Sequence, residues 1–204
     1  MKKKLIIAVR KSKLALAQAN LVKERLKKLN PIIKTFQTVG DQILDKPIHE
    51  IGGKGVFIKS IEKALFEQKA DIAVHSMKDM PATSHDDLEI FCFMDRLNSS
   101  DVLLSNLGTK LQNLESGSVI GTSSIRRRSQ ILNFRSDLKI KLLRGNVDTR
   151  INKLKNKEYD AIILAYAGLK RLGLENNITE ILDQQAFLPA GGQGVVGIQS
   201  KKKC

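Results

Sequence analysis

Tryptophan is absent from this 204-residue sequence, tyrosine occurs twice, and aromatic residues together make up 4%. Proteins that stack exposed bases interleave aromatic with basic side chains. The shortage of aromatics argues against nucleic-acid binding, and no recognisable motif for it is present. Cysteine is also scarce: Cys92 and the last residue, Cys204, are the two present, too few for a disulfide framework or a cysteine-based metal site. Three histidines without cysteine partners at ligand spacing leave metal binding unsupported. No apolar run reaches the roughly 18–20 residues that a membrane span needs. The start, Met1-Lys2-Lys3-Lys4-Leu5-Ile6-Ile7-Ala8-Val9, superficially has the charge-then-apolar order of an export signal. Arg10 and Lys11, however, stand where a small-residue cleavage site belongs. This stretch reads as a first β-strand, and the chain is expected in the cytoplasm, with no membrane partner.

Positive charge is what the sequence has in excess. Lysine and arginine number 35 against 21 acidic residues, a formal net charge of +14, which favours an anionic partner. Much of the lysine surplus falls on expected helix surfaces and at the ends, as in Lys201-Lys202-Lys203, where a solvated surface accounts for it. The arginines are more telling. Several fall in short turns flanked by glycine or hydroxyl residues, where a guanidinium fork can grip a carboxylate with two hydrogen bonds. The 42% hydrophobic and 27% charged content is that of a globular chain, long enough for one large core or two modest ones.

Apolar periodicity orders the chain into alternating strands and helices. A strand at 4–9 leads through Arg10-Lys11-Ser12-Lys13 to a helix near 14–29, with Ser12 as N-cap and Leu14, Ala17, Leu21 and Leu26 at helical spacing. A strand at 32–39 follows Pro31. Next come a polar segment from Gly40 to Gly55, a helix near 56–68, a strand at 70–74 and a turn at 75–81. The apolar run 88–94 predicts a buried strand enclosing Cys92. Residues 98–117 carry the crossing into a second half, where strands at 119–121, 139–143 and 161–165 each feed a helix, the last two at 147–155 and 169–172. An apolar strand at 195–198 could return to the first sheet. Such alternation implies α/β layers with mainly parallel sheets. Ligands of such sheets sit beyond the carboxyl ends of the strands, where the polar turns all fall.

Each polar turn admits two readings. In Gly121-Thr122-Ser123-Ser124-Ile125-Arg126-Arg127-Arg128, hydroxyls and free backbone N–H groups ahead of a helix suit an anion. Adjacent arginines in a first helical turn oppose the helix dipole and cost stability unless something offsets them. A bound carboxylate or phosphate would do so; a surface cluster behind a hydroxyl cap is the plainer alternative. Arg144-Gly145-Asn146-Val147-Asp148-Thr149-Arg150 follows the same logic, although Asp148 could simply pair with either arginine. Asp71-Ile72-Ala73-Val74-His75-Ser76-Met77-Lys78-Asp79 delivers Ser76, Lys78 and Asp79 to a strand end. Asp79 could hold an N–H-bearing ligand or act as general acid or base, or pair with Lys78 or Arg10. His75 reads as a hydrogen-bonded packing residue. Gly52-Gly53-Lys54-Gly55-Val56-Phe57 lacks the ending of a nucleotide-binding P-loop. It suits either a loop closing on an anion or a plain connector. Pro189-Ala190-Gly191-Gly192-Gln193-Gly194 is a further glycine-rich turn.

Taken together, the motifs resemble the porphobilinogen deaminase (hydroxymethylbilane synthase) family along Lys4 to Gln199. The match is carried by Ile7-Ala8-Val9-Arg10-Lys11-Ser12-Lys13-Leu14-Ala15-Leu16-Ala17-Gln18 and by the stretches 52–57, 70–81, 121–127, 143–150, 159–174 and 188–197. The resemblance implies two periplasmic-binding-protein-like α/β domains with a cleft between them. The first would comprise 1–97 completed by a returning strand at 194–204, and the second 98–193. It also implies a cytoplasmic, monomeric transferase of tetrapyrrole (haem) biosynthesis. Porphobilinogen, its substrate, loses ammonia, and the resulting electrophile is attacked by the free end of a chain started on a dipyrromethane cofactor. Four additions and hydrolysis give hydroxymethylbilane.

By that resemblance Arg10, Ser12, Lys54, Arg126, Arg127, Arg144, Arg150 and Arg171 would bind the carboxylates of cofactor and substrate. Ser76, Thr122, Ser123, Ser124, Asn146 and Gln193 would add hydroxyl, amide or backbone contacts. Phe57 would line the same site, Lys78 would lie beside the cofactor, and Asp79 would be catalytic, next to the pyrrole N–H groups. The family's third domain, with the cofactor-bearing cysteine in a glycine-containing loop, is expected to be missing. Cys204 has neither the position nor the flanks of that cysteine, and Cys92 is read as buried. The chain alone is therefore expected to be inactive, and a non-catalytic two-domain anion-binding protein is the rival reading. Smaller departures are Lys11, Lys13, Ser100 and Gly191, where the family often has other residues.

Overall fold

Each strand of the interior is a short apolar run that must bury both faces, and the sequence meets this with helices on either side of two sheets. The computed structural model describes residues 4–38, 40, 53–83 and 85–202. The chain divides into two compact units, Met1–Leu97 with Val195–Cys204, and Asn98–Gly194.

In the first unit, β1 (Ile6–Arg10), β2 (Ile32–Phe36), β3 (Ile72–Ser76), β4 (Leu88–Phe93) and β10 (Val196–Lys201) form one sheet in the order β2-β1-β3-β10-β4. Alternation along the strands sends Ile7, Val9, Ile72, Val74, Val196 and Ile198 to one face, against Ala15, Ala19 and Val22 of α1 (Lys13–Arg25). Ala8, Ala73 and Leu88 face Ile61 and Leu65 of α2 (Lys59–Phe66). Helix α1 starts where Ser12 accepts a hydrogen bond from the Ala15 N–H at 3.2 Å, the N-cap that the sequence predicts. Its buried stripe, Ala15, Gln18, Ala19 and Val22, has helical spacing and contains a glutamine.

The second unit builds its sheet from β5 (Asp101–Ser105), β6 (Val119–Gly121), β7 (Lys139–Lys141), β8 (Ala161–Ala165) and β9 (Glu180–Ile181), in the order β7-β6-β8-β5-β9. On one face Leu103, Ile120 and Ile163 pack with Ile131 of α3 (Ile125–Phe134). On the other, Val102, Leu104, Ile162 and Leu164 pack with Ile151 and Leu154 of α4 (Val147–Lys155) and Leu169 of α5 (Tyr166–Leu172).

Three expectations change in detail. The sheets are parallel where β1, β2 and β3, or β6, β7 and β8, are joined through helices, but β10 runs antiparallel to both its neighbours and β5 antiparallel to β8 and β9. The stretch 98–117, read as a crossing, contains β5, whose short apolar run is hidden between Asn/Ser clusters on either side. Cys92, read as buried, is exposed, with Phe91 and Phe93 beside it at 52% and 58%. Composition made the 88–94 run look interior, but β10 takes the inner position and leaves β4 at the sheet edge.

Gly121 closes β6 at a point with no room for a side chain. A Cβ there would lie 2.8 Å from Tyr159, 3.0 Å from Ile162 and 3.1 Å from Leu143, all buried. At Gly191 nothing lies within 4 Å of that position. Gly121→Ala is expected to lower unfolding free energy by about 1–3 kcal/mol, and Gly191→Ala to change it by less than about 0.5 kcal/mol. Urea denaturation of the two variants beside the parent checks both values.

Candidate functional site

Because β1 and β3 are parallel neighbours, their carboxyl ends lie on one sheet edge, and the residues that follow them meet there. Arg10 ends β1, Ser12 caps α1, Ser76 ends β3, and Asp79 lies in the helical turn Met77–Asp79. With Gln18, Phe57 and His75 they line a cavity of about 50 Å³. The Arg10 guanidinium stacks on the Phe57 ring, 4.2 Å from its centroid, an arrangement that holds a cation without consuming its hydrogen bonds. The Gln18 amide donates to Ser76 Oγ at 2.8 Å. Lys78 shares the Asp79 turn but lies outside the lining of this cavity.

His75 is buried, and that burial pushes its pKa down to about 4 against the smaller opposing effects of a hydrogen bond to the Gln199 amide oxygen and the charge of Asp79. The imidazole is therefore neutral near pH 7 and adds no charge to the cavity wall.

In the second unit the turn 122–124 leads from β6 into α3. Ser124 is the N-cap, its Oγ accepting from the Arg127 N–H at 3.4 Å, and Thr122 Oγ1 accepts from the Ser124 N–H at 3.2 Å. Ser123 is half-buried between them. The offset that adjacent arginines demand comes from inside the chain. Asp101, 1% exposed, receives Arg126 Nη2 at 2.7 Å on one carboxylate oxygen, and Arg127 Nη2 at 2.7 Å and Gln193 Nε2 at 2.8 Å on the other. Burial alone would raise the Asp101 pKa; the Arg127 charge, hydrogen bonds from Arg127 and Gln193, and the Arg126 charge bring it below the usual carboxylate value. Arg127 also donates to the Ile163 carbonyl at 3.0 Å, and Gln193 to the Ser99 carbonyl at 2.6 Å. Arg126 keeps 26% of its side chain exposed while binding Gln130 and the Leu188 carbonyl. Buried Nε atoms of Arg127 and Arg171 have no hydrogen-bond partner.

The remaining arginines follow β7 and β8. Arg144 is buried beyond the end of β7. Gly145, with φ of +112°, makes the tight turn, and Arg150 Nε donates to its carbonyl at 2.7 Å. Asn146 sits exposed at the N-cap of α4 without a side-chain capping bond. Arg171, on α5, donates to the Gly194 carbonyl at 2.7 Å, and its burial lowers its pKa. These residues, with Thr122, Ser123, Ser124 and Arg126, all follow carboxyl ends of the parallel strands β6, β7 and β8. The Lys54 side chain lies outside the described residues.

Two residues missed by the sequence reading belong beside these. Gln18 is 3% exposed on an otherwise apolar stripe, and a polar residue at a core-facing helical position was the available signal. Asp101 opens a strand whose next three residues, Val102, Leu103 and Leu104, are apolar, but its burial depends on a strand order that the sequence does not reveal.

A family model for porphobilinogen deaminase, dipyrromethane cofactor-binding domain, matches residues 5–204. Porphobilinogen deaminases from Oceanobacillus iheyensis and from a Geobacillus strain are each 49% identical to the chain over 98% of its length. The chain spans 66% of the length of each of them. Among solved structures, a lipoprotein from Bacillus subtilis described as methionine-binding superposes with a TM-score of 0.54 at 14% identity, covering 98% of this chain and 84% of its own. The OxyR2 regulatory domain from Vibrio vulnificus gives 0.54 at 12% identity, covering 100% and 89%. These two likenesses show the fold alone: two α/β sheets flanked by helices.

Asp101→Asn leaves two guanidinium groups facing an amide at a position whose side chain is 1% exposed. It is expected to cost about 3–5 kcal/mol of stability at neutral pH. In the parent, the carboxylate's contribution is complete above its unfolded pKa of about 3.9 and is lost as pH falls through the lower folded value. Urea unfolding followed from neutral to acidic pH should therefore show a gap between parent and variant that narrows in acid.

Proposed function

The chain belongs to the porphobilinogen deaminase family, and from that premise we propose that it is the cofactor- and substrate-holding part of a transferase that condenses four porphobilinogen units into linear hydroxymethylbilane. The observation that carries this reading is the first-unit cavity, where a guanidinium, two hydroxyls, an amide and the Asp79 carboxylate converge at the carboxyl ends of β1 and β3. Porphobilinogen offers complementary groups: an acetate, a propionate and a pyrrole N–H.

Carboxylates taken from water must be met by charge or donors. Arg10, Lys54, Arg126, Arg144, Arg150 and Arg171 would supply the charge, and Ser12, Ser76, Thr122, Ser123, Ser124 and Asn146 would supply hydroxyl, amide and backbone donors. Phe57 would keep Arg10 in place, and Lys78 would add charge beside Asp79. Arg127 and Gln193 would act chiefly from behind, holding Asp101 and through it the position of Arg126. The residues fit dipyrromethane, another bearer of acetate and propionate groups: the buried Nε of Arg171 is a cationic donor with unused capacity. When bound, dipyrromethane supplies the pyrrole carbon to which the first unit is added.

Asp79 is the catalytic residue of this proposal. Loss of ammonia from porphobilinogen leaves positive charge spread over the pyrrole ring, and a carboxylate at the ring N–H stabilises that charge as it develops. The same carboxylate can take and return the proton that coupling releases. His75, neutral beside it, leaves the negative charge of Asp79 undiminished.

The setting we propose is a cytoplasmic monomer; no helix among the described residues is long and apolar enough to cross a membrane. Calorimetric titration of the chain with porphobilinogen is expected to show binding that weakens roughly 10-fold or more in Arg10→Leu, the loss of one charge-assisted contact. Asp79→Asn should retain binding within a few-fold, while the intact enzyme carrying it loses ammonia release by about 100-fold or more. A chain that takes up no porphobilinogen would contradict the reading. Undiminished ammonia release by the variant would contradict the role of Asp79.

A further inference from the structure

Antiparallel pairing sets His75 opposite Gly197 and Ala73 opposite Gln199. Side chains at 73, 75, 197 and 199 therefore share one face, and His75 and Gln199 are diagonal neighbours within reach of each other. It is the α2 face, since Ala73 packs with Ile61 and Leu65. Gln199 is 0% exposed, and an amide in that position must have both ends satisfied. Its Nε2 donates to Glu62 Oε1 on α2 at 3.1 Å. Its Oε1 lies 3.0 Å from His75 Nε2. A carboxylate accepts and cannot donate, so Glu62 fixes which end of the amide is the nitrogen. The oxygen is left for His75, and the ring nitrogen that meets it must carry the proton.

We propose that Glu62 and Gln199 form a relay that locks His75 as its Nε2–H tautomer, making Gln199 a positioning residue for the Ser76–Asp79 segment. The inference rests on the functional reading above in what it says of substrate, but not in what it says of the tautomer. His75 lines the same cavity as Ser76 and Asp79 and directly precedes Ser76 in the chain. The Met77 N–H donates to the carbonyl of Val195, the residue just before β10, at 3.1 Å, so the segment that orients the ring also anchors the turn that carries Asp79. The charged groups that act on the ring are Asp79 and Arg10, with Glu62 behind the amide. Since burial keeps the imidazole neutral down to about pH 4, the tautomer rather than the charge is what the relay selects. Nδ1 is then the ring's acceptor, and His75 competes with no cation for the Asp79 carboxylate.

Long-range nitrogen–proton correlation spectra of the histidine-labelled full chain test this directly. The parent should show His75 as the neutral Nε2–H form, unchanged between about pH 5 and 8. Gln199→Leu, with the fold checked by circular dichroism, should give a mixture of tautomers and weaken porphobilinogen binding about 5-fold or more. Glu62→Leu should act in the same direction, and Glu62→Gln, which keeps an acceptor oxygen, should restore the parent spectrum and affinity. If Gln199→Leu fails to fold, the Glu62 pair decides the matter. An Nδ1–H form in the parent, or tautomer and affinity untouched by Gln199→Leu or Glu62→Leu, would overturn the relay. Absence of porphobilinogen binding by the parent would count against the functional reading, while the spectra would still decide the tautomer.

Discussion

The Asp101 carboxylate, 1% exposed on a strand between β8 and β9, is closed in by two guanidinium groups and an amide. Taking such a group out of water costs several kcal/mol, and so does burying each cation that answers it. None of the partners can leave without stranding the others. The arrangement therefore fixes three pieces of the second unit together: β5, the first turn of α3 and the turn ending at Gln193. Where α3 begins decides where the Thr122–Ser124 hydroxyls stand. Hence a charge cluster in the interior governs the geometry of these hydroxyl residues, and Arg126, bound on one side and partly exposed on the other, joins the two.

The α/β class, the alternation of strand and helix from β6 to α5 and the Ser12 cap were legible in the sequence because each depends on local information. Helix α4 and strand β8 have their expected bounds, being strongly patterned runs set off by Gly, Asn and Asp. The grouping of Ser76 and Asp79 with Arg10 and Ser12 was legible for a related reason. Parallel strands joined by helices must send their following loops to the same sheet edge. Position then follows from topology without any knowledge of side-chain packing.

What stayed hidden depends on strand order across long separations. Arginines crowded against the helix dipole need an anion, but local sequence does not distinguish an outside ligand from Asp101, 26 residues away from Arg127. Cys92 looked interior because its neighbours are apolar, and only the insertion of β10 ahead of β4 puts it at an edge. A glutamine in a helix is usually solvated, so Gln18 gives little local sign of its burial. Its burial against Ser76 becomes visible only when α1 is laid on β3.

The chain order of the two units carries a consequence for the site itself. The second unit is one continuous segment, 98–194, with local βα connections that can form as the chain collapses. The first unit cannot complete its sheet until β10 arrives, and His75 meets Gln199 across 124 residues of sequence. Closing so long a loop has an entropic cost that grows slowly with length, but such contacts delay folding. Strand β4 can pair with the rest of its sheet only through β10. The Asp79 turn, hydrogen-bonded to Val195, is therefore among the last parts of the first unit to be fixed. The Asp79 carboxylate, which lines the same cavity as Arg10, is thus held through Val195 by a segment that folds in after the neighbouring unit has been traversed.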